Sequence, residues 1–294
     1  MIFAPPLHRV IEHVDRRVLG AFQLVDAVTG LPIAIAAKVD VRSAALVNGG
    51  PPADVPLQER SVQLRQNRSG FHVIERAPFF DDYCSSFVDP EDPAETPPGT
   101  LLRLRLALRN AGPHYLPREF EFNLPRSVDP EEDDNVFEHA IVQLFRAPGA
   151  PVLGGWCVLR VRVTQEITDA PLPGVLVRVF RSPRGPADPA IGQGMTEWRG
   201  DLRGEALVAV ADLPRFRPGQ GNDVFETTQE IHLEATRDPN FTGAAGQFPD
   251  IPGTAPGAIT RRSDPPAPPG LEVAPAAPLN LRAGSEMTVH LTMP

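Results

Sequence analysis

The most constraining stretch of the chain is Leu102-Arg103-Leu104-Arg105-Leu106-Ala107-Leu108-Arg109. Leucine holds every second position, and arginine or alanine fills the others. A period of two puts one side-chain set on each face of an extended strand, so this stretch predicts a half-buried β-strand and not an amphipathic helix. Phe120, Phe122 and Leu124 alternate in the same way with Glu119, Glu121 and Asn123. Shorter runs of the same character fill much of the chain. Phe22, Leu24 and Asp26 begin the first, and Ile33 to Val41, Ser61 to Leu64, Phe71 to Ile74 and Val142 to Phe145 follow. Beyond them come Val158 to Val163, Val175 to Phe180, Glu205 to Val210, Ile231 to Ala235 and Met287 to Leu291. Between the runs stand turn formers such as Thr29-Gly30-Leu31-Pro32 and Asn67-Arg68-Ser69-Gly70. Many short strands punctuated by turns predict an all-β fold of sandwich or barrel type.

Three blocks of the first half correspond in order to three of the second. Thr29-Gly30-Leu31-Pro32-Ile33 matches Asp169-Ala170-Pro171-Leu172-Pro173. Asn67-Arg68-Ser69-Gly70-Phe71 matches Asp201-Leu202-Arg203-Gly204-Glu205, and Arg105–Asn110 matches Leu233–Asp238. The expectation is two copies of one sandwich type: residues 18–146, a linker at 147–151 and residues 152–294. A chain of 294 residues is long enough for two such units.

Two segments fall outside this grammar. In residues 1–17, Leu7, Val10, Ile11 and Val14 recur at spacings of three and four behind Pro5 and Pro6. That spacing predicts a short amphipathic helix or arm with one apolar stripe. Residues 239–278 are rich in Pro, Gly and Ala and read as an insertion before the last strand. Its prolines exclude ordinary strand pairing, and Phe241, Phe248 and Ile251 are among its few apolar anchors.

The second unit resembles the carboxypeptidase regulatory-like family, a transthyretin-like (Ig-like) β-sandwich. The residues that carry the likeness are Leu159–Val163, Ala170-Pro171-Leu172-Pro173-Gly174-Val175-Leu176-Val177, Asp201–Gly204 with Glu205-Ala206-Leu207-Val208, Asp212-Leu213-Pro214, and Ala283–Val289. The resemblance implies an accessory domain that supports, presents or binds. A two-sandwich chain of this kind also looks like a component of phage-tail-like contractile injection particles of bacteria.

Charge narrows the partners. The net charge of −9 argues against a nucleic-acid footprint, which needs clustered Lys and Arg. No apolar run is long enough to span a membrane, and no signal-peptide pattern opens the chain, so synthesis and retention in the cytoplasm, or release as part of a particle, are expected. Cys84 and Cys157 lack a CxxC spacing and read as packed thiols.

The seven histidines show no HxH or HExxH spacing, and no GxSxG or phosphate loop occurs. The acidic groups Asp81-Asp82 and 129–134 lack the order of a calcium loop and read as solvated loops. These patterns predict neither enzyme, metal nor cofactor. They predict a structural or adaptor subunit that binds other protein subunits, including copies of itself. The alternative is a carbohydrate- or peptide-binding module. The partner-binding candidates are Leu7, Val10, Ile11, Val14, Trp198, Phe241, Phe248 and Ile251.

Overall fold

The computed structural model describes residues 18–33, 37–46, 53–54, 62–77, 80, 100–108, 114–126, 130–131, 135–181, 190–197, 203–211, 213, 217–218, 225–226, 228–238, 241, 272–275 and 278–294. Among these residues there is no α-helix, and the chain is all-β. The expected N-terminal helix and most of the 239–278 insertion lie outside the described residues.

In the first half, β1 (Gly20–Asp26), β2 (Ala37–Leu46), β3 (Ala53–Asp54), β4 (Gln63–Gln66), β5 (Phe71–Arg76), β6 (Thr100–Leu108), β7 (Arg118–Leu124) and β8 (Ala140–Leu144) make two sheets. One has the order β4-β5-β1-β8 and the other β3-β2-β6-β7. Their facing sides share one core. Phe22, Leu24, Ile74, Val142 and Leu144 come from the first sheet, and Val39, Val41, Leu104, Phe120 and Leu124 from the second. The Phe22 ring meets Phe120 edge-on with centroids 5.2 Å apart, an arrangement that favours the ring quadrupoles. Two sheets closing on a common apolar layer form a sandwich.

The second half repeats the plan. It contains β9 (Cys157–Gln165), β10 (Leu176–Arg181), β11 (Gly192–Met195), β12 (Glu205–Val210), the small pair β13 (Arg217–Pro218) and β14 (Phe225–Glu226), β15 (Thr228–Arg237), β16 (Glu272–Pro275), β17 (Leu279–Arg282) and β18 (Glu286–Met293). One sheet is β12-β9-β18. The other runs β11-β10-β15, with β16 and β17 sharing the far side of β15. Val161, Val163, Val177, Val179, Val208, Ile231 and Leu233 fill the core between them. Cys157 is a buried free thiol there. Burial pushes its pKa up, against hydrogen bonding from Ser285 and from the Val158 backbone.

The registers of the halves coincide along the first strand of each. Gln23 pairs with Phe71 and Arg162 with Glu205, each just after a left-handed glycine, Gly70 and Gly204. The third repeat block does not superpose in the same way: Val39, paired with Leu106, is a core residue, whereas Arg178, paired with Glu234, stands between the core residues Val177 and Val179 and therefore on the outer face. Each half begins on a strand that lies parallel to its last strand, β1 beside β8 and β9 beside β18. The turn after each first strand is also the same. The Gly30 N–H donates to the Asp26 carbonyl at 2.8 Å, and the Asp169 N–H to the Gln165 carbonyl at 2.9 Å. Both donors sit at positive φ, 67° and 53°. Glycine has no Cβ to clash there, and aspartate is among the few other residues that tolerate the left-handed region.

Three other expectations need correction. The first repeat block shifts by one residue: Thr29-Gly30-Leu31-Pro32 matches Thr168-Asp169-Ala170-Pro171, because Val25 bridges Pro32 as Thr164 bridges Pro171. Proline content was read as excluding strands throughout 239–278, yet β16 pairs with β15 from Arg237↔Glu272 to Glu234↔Pro275. Pro275 closes an edge strand, where a missing donor costs the ladder little. Leu279–Arg282, which together with Ala283-Gly284-Ser285 reads in the sequence as a turn before the closing strand, is instead the strand β17, paired from Ile231↔Leu279 to Thr228↔Arg282.

Candidate functional site: a latch between the two sandwiches

Because β8 lies beside β1, the residue after β8 arrives next to the turn after β1. The Ala27 N–H donates to the Leu144 carbonyl at 3.0 Å, which sets Arg146 against Asp26. The chain just before β7 crosses the same place. Tyr115 bridges Arg146, and the Leu116 N–H donates to the Phe145 carbonyl at 2.9 Å. Topology alone therefore gathers Asp26, Tyr115 and Arg146.

Asp26 is 3% exposed. Its Oδ1 accepts the N–H of Val28 at 2.8 Å and of Thr29 at 3.2 Å, closing the turn. Its Oδ2 accepts the Tyr115 hydroxyl at 2.8 Å and the Arg146 guanidinium at 2.6 Å. Each carboxylate oxygen thus holds two donors, and a carboxylate engaged in this way has no lone pair left for a metal ion. Burial, the bond to Asp26 and the charge of Asp26, outweighing Arg146, push the Tyr115 pKa up to about 12. Tyr115 is a neutral donor at any physiological pH.

Arg146 carries the contact onward. Its guanidinium donates to the Pro151 carbonyl at 2.7 Å in the connecting segment. It lies 4.8 Å from the Trp156 ring centroid and 5.9 Å from that of Tyr115. Cation–π contacts of this type add about 0.5–2 kcal/mol as water is excluded. Trp156 and Val152 in turn pack with Val28 of the first sandwich against Val158, Leu207 and Ala209 on the outer face of the second.

A second apolar cluster lies on the same seam, with Leu116, Phe145 and Ala147 against Leu176, Met195 and Phe241. Polar ties border it. Gln193 Nε2 donates to Gln143 Oε1 at 2.8 Å, and Arg160 donates to the Pro148 carbonyl at 2.8 Å. Arg118, 8% exposed, donates to the Gln143 carbonyl at 2.7 Å and stacks on Phe145. Burial lowers its pKa to about 9, which leaves it charged at neutral pH.

Of the partner-binding candidates read from sequence, Phe241 is 3% exposed within this seam. Leu7, Val10, Ile11, Val14, Trp198, Phe248 and Ile251 lie outside the described residues. The seam itself escaped sequence reading, because Asp26, Tyr115, Arg146 and Trp156 are far apart along the chain. Its only sequence signal is the Asp26-x-x-Thr29-Gly30 turn, which marks a turn and not its neighbours. Among the described residues no group of three or more His, Cys, Asp or Glu side chains is placed to hold a metal ion. Among them, too, no helix is long and apolar enough to cross a membrane.

No protein-family model matches the sequence. No curated protein matches it either. A solved structure to which the chain is similar is that of GBS52, the minor pilin of the Gram-positive pathogen Streptococcus agalactiae. The identity is 8% and the TM-score 0.20, over 93% of this chain and 95% of that one. A score that low assigns neither fold nor role.

Proposed function

We propose that the chain is a non-enzymatic structural or adaptor subunit of a bacterial multiprotein assembly, of the kind that builds phage-tail-like contractile injection particles. Its two sandwiches are read as transthyretin-like, carboxypeptidase regulatory-like domains. The observation that supports this reading is the seam. Contacts between domains of one chain are commonly polar and permit relative motion. Here a buried carboxylate, an arginine, a tyrosine and a tryptophan tie the turn of one sandwich to the connecting segment and to the face of the other. A subunit that must hold two binding ends at a fixed angle requires such a joint, whereas a flexible tether does not.

The test is deletion of residues 1–17, the arm read as the docking element. The truncated protein should keep the far-ultraviolet spectrum and melting temperature of the full chain but fail to co-assemble. Normal incorporation of the truncated protein would contradict the proposal. Trp156 is occupied by Arg146 and by its neighbours in the seam, so the alternative, a carbohydrate- or peptide-binding module, rests on Trp198, and saturable glycan or peptide binding lost in Trp198→Ala would favour it.

A further inference from the structure

Sheet edges are exposed rows of main-chain donors and acceptors, and folded chains block them with bulges, charges, short length or cover. Most edges here are blocked. β3 is two residues long, and β4 is short with a register shift at Gln63/Leu64. The edge of β12 is approached so closely by β11 that a Cβ on Gly194 would stand 2.4 Å from the Leu207 carbonyl oxygen. The edge of β8 is capped where Arg118 takes the Gln143 carbonyl. β7 carries Arg118, Glu119 and Glu121 in its sequence.

β18 occupies in the second sandwich the place of β8 in the first; β16 of the facing sheet comes near it, but among the described residues the edge of β18 carries no bulge, proline or capping side chain. It is eight residues long and contains no proline and a single carboxylate, Glu286 at its start. The Val158 N–H donates to the Ser285 carbonyl at 2.9 Å and the Glu166 N–H to the Met293 carbonyl at 2.7 Å. The odd-numbered residues therefore turn their main-chain groups toward β9. Glu286, Thr288, His290 and Thr292 turn theirs away, and among the described residues no strand pairs along that side.

We propose that β18 pairs antiparallel with β18 of a second copy, joining the two β12-β9-β18 sheets into one across a two-fold axis at Val289. It builds on the reading of the chain as an assembly subunit and names one of its partners as the chain itself. The sequence of the strand fits this occupant. About that axis Thr288 faces the copy's His290, and Glu286 faces the copy's Thr292, so no like charges meet. Glu286 is already tied to Arg160, and His290 bonds Thr164 at 2.8 Å, so both side chains are held on the outer face beside β9. On the inner face Met287 and Val289 are half-buried at the rim of the core, and the same residues of the copy continue that apolar row. An axis moved to Thr288 shortens the overlap, and one moved to His290 sets His290 against His290.

The test uses the full chain in sedimentation velocity at tens of micromolar protein, with Thr288→Pro and Thr288→Ala variants. The Thr288 N–H faces away from β9, so proline there removes an intermolecular donor and leaves the β9 ladder intact. The wild type and Thr288→Ala should sediment as dimers and Thr288→Pro as a monomer. Should Thr288→Pro fold poorly, hydrogen exchange on the wild type gives the same answer: the Thr288 and His290 amides should slow as protein concentration rises. A monomeric wild type, a dimeric Thr288→Pro or concentration-independent exchange at those amides overturns the proposal. A monomer that still enters its assembly refutes the dimer alone. A dimer found in no assembly refutes the subunit reading alone.

Discussion

Replacing Asp26 by alanine tests whether the seam holds the fold. The substitution takes away the acceptor of the Tyr115 hydroxyl and of Arg146, and leaves both beside a cavity that water reaches poorly. Removing one member of a buried ion pair costs about 3–5 kcal/mol, because the remaining charge loses its partner. For chains of this size that shift lowers the melting temperature by roughly 10 °C. The chain carries its own control. Gln165 occupies the equivalent place in the second sandwich, ahead of the same turn with the same backbone bonds. There the side chain only accepts the exposed Thr168 hydroxyl at 2.7 Å. Gln165→Ala should stay within about 0.5 kcal/mol of wild type, as surface changes do. Differential scanning calorimetry of both variants reads the contrast. Equal losses, or a loss below about 1 kcal/mol for Asp26→Ala, would refute the claim that burial and pairing at Asp26 hold the seam.

Three further outcomes follow from single contacts. Tyr115 has its pKa raised from 10 to about 12, so the unfolded chain loses that proton first as pH rises. Stability linked to Tyr115 is full below pH 10 and lost as pH approaches 12, and Tyr115→Phe should flatten that part of a stability-versus-pH curve measured in urea. Gly194→Ala would press a methyl group toward the Leu207 carbonyl oxygen and should cost about 1–3 kcal/mol in urea unfolding, whereas Gly149, which has open space around it, should accept alanine nearly freely. Burial, then the charge of Glu205, raises the pKa of Glu197 above the usual carboxylate value, against Arg203. The charged form is disfavoured in the fold, so Glu197→Gln should raise the melting temperature at pH 7 and lose that advantage as the pH falls through the carboxylate range.

The strands that were legible in the sequence are those with an apolar face to reveal. β1, β6, β7, β9 and β15 alternate, and their turns carry Gly30, Gly70 and Gly204. β11 was missed because Gly-Gln-Gly-Met has no alternation: close approach to β12, not burial of large side chains, chose its residues. β16 was hidden by its proline, and β17 by residues that favour turns as well as edge strands. The repeat was visible in its turns, but the first block was aligned one residue off and the third set Arg105, which follows the core residue Leu104, on the core residue Leu233. A proline match is ambiguous in Ala170-Pro171-Leu172-Pro173, and the bridge from Thr164 to Pro171 resolves it. The seam was invisible for a different reason. Asp26, Tyr115, Arg146 and Trp156 carry no periodic signal and meet only because β8 returns parallel to β1.

The central claim is that the chain works as a fixed-angle part of a larger assembly. The most direct measurement is sedimentation of a lysate from cells that make it, with the chain followed by a tag placed away from β18. The account predicts co-sedimentation in a high-mass fraction at constant stoichiometry with other subunits, lost on deletion of residues 1–17. Recovery of the chain only as a free dimer or monomer would contradict it.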